Sequence, residues 1–186
     1  MRDQFRDWNL YHKSIVVLIA AMVFGVIVRA IVVYDTAFEV TGERVITASA
    51  GAVWTMMSDD ENRDKWQAEM HDLVELTGQT NEIGTTRLVF WKRELKRWQS
   101  VERTQNLIPG RVLQFTQTSD QDTRWVSLSL EVIGTCQTRL TIEEIIEPSA
   151  YKDRFWFFSE RDAHEKRLAA SFDAMERWAT VDDPDC

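Results

Sequence analysis

The chain has 186 residues, of which 30 are acidic and 22 basic, and its formal net charge is −8. An acidic surface repels phosphate backbones, which excludes nucleic acid as an expected partner. Only two cysteines and three histidines occur, and their spacing matches no zinc or redox motif.

The most prominent feature is an apolar segment, residues 15–34, whose only ionisable residue is Arg29. Twenty residues in an α-helix span about 30 Å, which is the thickness of a hydrocarbon core. Arg29 lies near the end of the segment, where a long side chain can reach the headgroups. Trp8 and Tyr11 stand where aromatic rings favour the membrane interface. The pattern predicts a single-pass transmembrane anchor that follows a tail of residues 1–14.

A cleaved secretory signal is the alternative interpretation of the same segment. Val28, Arg29 and Ala30 include the small residues that a signal peptidase selects. The apolar run continues through residues 31–33, and the head that precedes it has mixed charge, which favours the anchor. Either interpretation sends the rest of the chain out of the cytoplasm.

The charges that flank the apolar segment predict its orientation. Arg2, Arg6 and Lys13 precede it, whereas the flank that follows is mainly acidic. The positive-inside rule then places the N-terminus in the cytoplasm. We therefore expect a membrane protein whose domain lies on the periplasmic or extracellular side.

Residues 38–180 have the patterns of one domain. Residues 38–47 read as a strand, and Ser49 and Ser58 stand where they would cap two short helices. Beyond them the period of the apolar residues changes to two, and short turns imply an antiparallel meander. The six predicted strands are residues 70–76, 85–92, 97–104, 111–118, 124–133 and 138–146.

A long amphipathic helix is predicted over residues 153–179, after Pro148. Such a helix needs an apolar surface, and the only one available is a face of the sheet. The predicted fold is therefore α+β: a curved antiparallel sheet wrapped on a long C-terminal helix, preceded by one transmembrane helix. The apolar stripe of the long helix comprises Phe158, Leu168, Phe172, Met175 and Ala179.

The chain ends in an acidic stretch, residues 181–186, which we expect to be disordered. Cys136 lies in a predicted hairpin, and Cys186 is the last residue. An oxidising compartment would permit a disulfide between them. The acidic residues before Cys186 nevertheless favour a mobile, unpaired terminal thiol.

Several short segments follow one another in a recognisable order: residues 46–54, then Asp59 and Trp66, Ile83-Gly84 with Arg87, Val101-Glu102 ahead of Pro109, and residues 138–141. With the order of the elements, they resemble the START-like, Bet v 1-like (SRPBCC) superfamily, in particular its bacterial polyketide cyclase/dehydrase and lipid-transport branch. The resemblance covers residues 38–180 and leaves the anchor outside. It implies the helix-grip fold, with a cavity between sheet and helix that holds an apolar small molecule.

The alternation of Val126, Leu128, Leu130 and Val132 with polar residues predicts that this apolar set faces the long helix. Trp66 combines a large ring with a polar N–H, and its position in the resemblance is near the cavity mouth. A filled core, or a tryptophan that covers the sheet edge, is the alternative. The candidate ligand-binding residues are Trp66, Phe90, Trp98, Phe115, Leu128, Phe172 and Met175.

Arg87, Glu102 and Arg139 are the charged residues at family-like positions. Turned inward, an arginine and a glutamate would pair and orient the polar head of a ligand. Outward cross-strand pairing in solvent is the more ordinary interpretation of the same residues.

Four successive aromatic residues, 155–158, cannot all face one core from a helix. We expect Phe155 and Trp156 to contact the membrane interface or a protein partner. The alternative is that they clamp the start of the helix onto the sheet.

No pattern indicates catalysis, a bound metal or a cofactor. His71 and His164 are expected on the surface or on a helix face. Glu143, Glu144 and Glu147 suggest a solvated edge, because strand alternation separates the first two.

Three functions remain open. The first is membrane-tethered binding or transfer of a lipid, quinone or polyketide-like molecule, without chemistry of its own. The second is a cyclase/dehydrase-type enzyme, with Glu102 and Arg87 or Arg139 inside the cavity. The third is an accessory or structural subunit of a membrane protein complex.

Overall fold

The structure is a computed structural model, and it describes residues 10–32, 37–149, 160–181, 183 and 186. The chain divides into two compact units, residues 1–36 and residues 37–186. Phe155 and Trp156 lie outside the described residues, so their predicted contact stays a prediction.

The first unit contains one helix, α1 (Leu10–Val32). Its stretch His12–Ala30 is long and apolar enough to cross a membrane, and none of it is buried in the protein. A signal sequence near an N-terminus satisfies the same criteria of length and composition. The predicted apolar segment is therefore one helix, with the length and composition of a membrane anchor or of a signal sequence.

The second unit has the predicted order of elements, with seven strands, short helices after the first strand, and a long helix at the end. Its elements are β1 (Phe38–Ile46), α2 (Ala50–Ser58), a 3-10 turn (Asp60–Asn62), α3 (Arg63–Trp66), β2 (Met70–Thr77), β3 (Thr86–Arg93), β4 (Lys96–Ile108), β5 (Val112–Thr118), β6 (Asp122–Gly134), β7 (Gln137–Pro148) and α4 (Arg161–Val181).

One antiparallel sheet contains all seven strands, in the order β1-β7-β6-β5-β4-β3-β2. The meander from β2 to β7 is confirmed, and β1 completes the sheet by pairing with β7. The predicted start of the long helix, residue 153, lies outside the described residues.

The core lies between the inner face of the sheet and α4. Leu168, Phe172 and Met175 are buried on one side of this layer, and Leu128 and Leu140 on the other. Contact at β1 is close, because a Cβ at Gly42 would lie 2.5 Å from Cε2 of Phe172. Glycine is thus required at this point for the helix to reach the sheet.

The predicted inward set on β6 holds for Val126 and Leu128, which are buried, and fails for Val132, which is 66% exposed. Val132 is followed within two residues by Gly134, where the strand ends at the hairpin. Alternation alone does not tell how far along a strand the covering helix extends.

The chain end is attached rather than free, contrary to the prediction. Cys136 and Cys186 form a disulfide with a Cα–Cα distance of 5.5 Å. Asp183 accepts hydrogen bonds from the backbone N–H and the hydroxyl of Ser49, at 2.5 and 2.9 Å. Ser49 also caps α2 by accepting from the N–H of Ala52. The hydrogen bonds to Ser49 hold the terminal residues near the β6–β7 hairpin, which contains Cys136. The sequence does not reveal this proximity, because Cys136 and Cys186 are 50 residues apart.

Candidate functional site

The layer between sheet and helix is polar beside the N-terminal half of α4 and apolar beside its C-terminal half. Transfer of a charge from water into this layer is unfavourable unless the charge is paired. Every buried ionised side chain here therefore needs a partner. The buried titratable residues are Arg63, Arg87, Glu102, Asp122, Arg124, Glu144, His164 and Arg167.

The deepest ion pair joins Arg63 of α3 to Glu102 of β4, both less than 3% exposed. The contact is bidentate, and its Nη2–Oε2 distance is 2.7 Å. Gln117 of β5 donates a further hydrogen bond to Glu102 at 2.9 Å, and the guanidinium lies 4.9 Å from the ring centre of Phe115. Burial lowers the pKa of Arg63, but the charge and hydrogen bond of Glu102 outweigh it and raise that pKa.

Arg87 of β3 also points inward, because the β3–β4 register places it opposite Glu102. Its Nε donates to Asp60 at 2.8 Å and its Nη1 to Thr104 at 2.9 Å, and Nη1 lies 3.6 Å from Glu102 Oε1. Arg139 instead forms outward ion pairs with Glu43, at 2.9 Å, and with Glu131. Outward pairing in solvent, the more ordinary interpretation, is thus wrong for Arg87 and Glu102, which face inward. It is correct for Arg139, which is therefore not a cavity residue.

A second buried group joins α4 to the sheet. Arg167 pairs with Glu144 of β7, and Arg124 of β6 pairs with Asp122 at 2.8 Å. Burial lowers the pKa of Arg167, which the charge of Glu144 partly offsets. Glu144 is 9% exposed. The predicted solvated edge is therefore wrong for this residue, because the alternation that separates it from its neighbours turns it inward.

His164 is buried on α4, with its ring 5.5 Å from that of Phe38 in an edge-to-face arrangement. Burial lowers its pKa to about 2, helped by the charges of Arg167, Arg124 and Arg93. It is neutral at physiological pH and does not lie on the surface. His71, by contrast, is exposed as expected.

A cavity of about 30 Å³ lies between the turn after α3, the inner face of the sheet and α4, and its lining includes the buried charged residues Arg124, Glu144 and Arg167. Such a volume holds about two water molecules, whereas pockets for drug-sized ligands have about 300–1,000 Å³. Trp66, Gln67 and Arg167 line it with polar atoms, and Phe115 and Leu168 with apolar ones.

The candidate residues for the cavity wall do not come together in one place. Trp66 and Phe115 line the cavity, and Leu128 and Met175 are fully buried core residues that do not line it. Trp98 stacks on Trp91, with ring centres 6.2 Å apart, and only Trp91 borders the cavity.

Phe172 and Phe90 also lie elsewhere. Phe172 packs against Gly42 of β1. Phe90 is wrong as a cavity residue, because Val89 and Trp91 on either side are buried in the inner layer. It instead lines an open groove that also involves Trp98.

Sequence reasoning missed Arg63, Arg124 and Arg167. A signal existed for two of them: Arg124 alternates in phase with Val126 and Leu128, and Arg167 lies on the stripe of α4 that includes Leu168. Arginine is seldom buried, so the type of residue argues against this signal. Among the described residues, no three His, Cys, Asp or Glu side chains are grouped to hold a metal ion.

Comparison of the chain with known proteins yields similarity in structure but not in sequence. No protein-family profile matches the chain, and no curated protein is similar to it. The Zhui aromatase/cyclase of Streptomyces sp. R1128 superimposes with a TM-score of 0.57 at 14% identity, over 79% of this chain and 99% of that one. Major latex-like protein 151 of Panax ginseng gives 0.63 at 8% identity, over 77% and 97%.

A protein of Thermus thermophilus gives a TM-score of 0.61 at 16% identity, over 77% of this chain and 98% of that one. Identities this low establish the fold alone. The chain has the helix-grip fold, as the order of its elements predicted.

Removal of the charge of Glu102 tests the central ion pair. Glu102→Gln leaves Arg63 buried without its carboxylate, and we expect a loss of about 3–5 kcal/mol in the free energy of unfolding. The matched control is Glu131→Gln, which removes half of an exposed pair and should cost at most about 1 kcal/mol. Chemical denaturation of the three proteins provides the comparison. Equal losses in the two variants would show that Glu102 is not a structural anchor.

His164 should make stability depend on pH. Its pKa is lower in the folded protein than in the unfolded chain, so the unfolded chain binds the extra proton. Stability should therefore fall as the pH drops below about 6.5, by about 1.4 kcal/mol per pH unit. His164→Gln should lose this component, and His71→Gln, at an exposed position, should keep it. Unfolding between pH 7.5 and 5 measures it, and an unchanged slope in His164→Gln would contradict the assignment.

Proposed function

We propose that the chain is a membrane-tethered domain that binds an amphipathic small molecule between the sheet and α4. The observation that carries the proposal is the cavity beside α4, which has apolar walls and polar atoms that no described residue satisfies. Binding sites of this kind combine an apolar lining with a few placed polar groups. The fold is shared with a protein named aromatase/cyclase, which supports a ligand in this layer.

Binding is favoured over catalysis by the state of the buried carboxylates. Glu102 accepts hydrogen bonds from Arg63 and Gln117, and Glu144 is held by Arg167. A general acid or base has to exchange a proton with the substrate, whereas both carboxylates already accept hydrogen bonds from buried arginines. We therefore assign these residues to positioning and not to chemistry.

The size of the cavity limits how a ligand would enter. A volume of about 30 Å³ accepts a few atoms, so a larger ligand has to part α4 from the sheet. The same small volume favours a second candidate function, an accessory subunit of a membrane protein complex whose pocket has closed. The two candidates differ in whether a small molecule is retained by the isolated protein.

The proposed location is the membrane, with the N-terminus in the cytoplasm and the domain on the periplasmic or extracellular side. The basic flank of the apolar helix supports this orientation. The disulfide between Cys136 and Cys186 supports it independently, because such bonds persist in oxidising compartments.

Native mass spectrometry of the full chain, purified from its own membranes into lipid nanodiscs, tests ligand binding. We expect one amphipathic small molecule per chain. Ser171→Leu should abolish its retention, because Ser171 lines the cavity and leucine would fill it. Ala170→Leu, at the exposed neighbouring position of α4, is the matched control and should retain the ligand. A wild-type protein that is empty and copurifies with other proteins would favour the subunit.

Thiol labelling tests the location. In intact cells, neither Cys136 nor Cys186 should react with a maleimide reagent until a reductant is added. In Cys186→Ser, Cys136 should react without reductant, which controls for access to the hairpin. Labelling of both thiols in the wild-type protein without reductant would place the domain in a reducing compartment.

A further inference from the structure

Of the buried polar atoms that lack a hydrogen-bond partner in the part of the chain that the structure describes, three belong to residues that line the cavity: Nε1 of Trp66, Oε1 of Gln67 and Nη1 of Arg167. Their residues are 3%, 7% and 7% exposed, and all three line the cavity. Buried donors and acceptors are nearly always paired. A group that supplies the missing partners is therefore expected inside the cavity.

Other polar groups that line the same cavity are already satisfied. The indole of Trp91 donates to Ser100 at 2.8 Å, and the amide of Gln117 donates to Glu102. The hydroxyl of Ser171 accepts from the backbone N–H of Ala68 at 3.2 Å. Among the residues that line the cavity, the buried side-chain atoms without a partner are thus those of Trp66, Gln67 and Arg167.

The three atoms define the chemistry of their partner. Trp66 and Arg167 offer N–H donors, and Gln67 offers an acceptor. A carbonyl oxygen has two lone pairs and can accept from both donors, while a neighbouring hydroxyl can donate to the amide oxygen.

The charge of the partner follows from the ion pairs. Arg167 already faces Glu144, and Arg124 faces Asp122, so the charges around the cavity are balanced. A carboxylate would add a buried negative charge without a cation of its own, which is costly. An uncharged head therefore fits better than an anion.

We propose that the cavity is the head-group subsite for an uncharged amphipath that carries a carbonyl and a hydroxyl group. Trp66 and Arg167 donate to the carbonyl oxygen, and Gln67 accepts from the hydroxyl. The volume of about 30 Å³ admits two water-sized groups, the carbonyl oxygen and the hydroxyl, and the rest of the molecule lies between α4 and the sheet once they part. This inference rests on the proposed function, because it names the ligand class of that site.

Three probes of equal chain length separate head-group recognition from apolar binding: 1-monolauroylglycerol, laurate and dodecane. Each is titrated at pH 7.5 into the full chain in lipid nanodiscs and compared at equal mole fraction in the bilayer. The readout is the indole N–H resonance of Trp66, assigned by its absence in Trp66→Phe. We expect 1-monolauroylglycerol to shift this resonance and to bind more tightly than laurate or dodecane.

Two variants each remove a single polar group. Trp66→Phe and Gln67→Met should each weaken binding of 1-monolauroylglycerol about fivefold, the value of one hydrogen bond. Gln67→Met should not lower the free energy of unfolding, since no described residue pairs with the amide oxygen that it removes. Trp66→Phe also removes part of a buried ring and should lower it. Trp125→Phe, on the exposed outer face of the sheet, is the control and should bind as the wild type does.

The outcomes separate the two proposals. Laurate or dodecane binding at least as tightly as 1-monolauroylglycerol, or no shift of the Trp66 resonance on binding, would overturn the head-group assignment and leave the proposed function standing. Failure of all three probes to bind would overturn both.

Discussion

The ion pair between Arg63 and Glu102 is the interaction on which the rest of the site depends. Glu102 is completely buried in the middle of the sheet, and Arg63 begins the short helix α3. A helix of four residues has little stability of its own. Its position over the sheet is therefore set by this bidentate contact, and with it the positions of Trp66 and Gln67, which end α3 and form the turn that closes the cavity.

The paired charges also explain why the interior is nearly full. Arginine and carboxylate side chains from β6, β7 and α4 occupy space that a purely apolar lining would leave empty or give to a ligand. Arg124 stacks near Trp91, and Arg167 reaches Glu144 across the layer. The fold supplies a layer between sheet and helix, whereas the residues in it decide its volume and polarity. Similarity of fold therefore does not transfer a ligand from one such protein to another.

The sequence predicts the fold well because its signals are local. Periods of two and of about 3.6, together with turn residues, define the strands and the C-terminal end of α4 within a few residues. The site is less accessible to prediction. Alternation places Leu128 inward. For Phe90 it was necessary to know which face of β3 points to the core, and the burial of Val89 and Trp91 shows that Phe90 lies on the other face. The link from Cys136 to the chain end arises from tertiary packing and leaves no local signal.

That link constrains how the site can open. The C-terminal end of α4 is held by the disulfide of Cys186 and by the hydrogen bonds of Asp183 to Ser49. The close packing of Phe172 on Gly42 adds a contact near the middle of the helix. The N-terminal half of α4 is held to the sheet by the buried ion pair of Arg167 with Glu144. Because this half borders the cavity, a ligand that parts α4 from the sheet has to offset the cost of disturbing that ion pair.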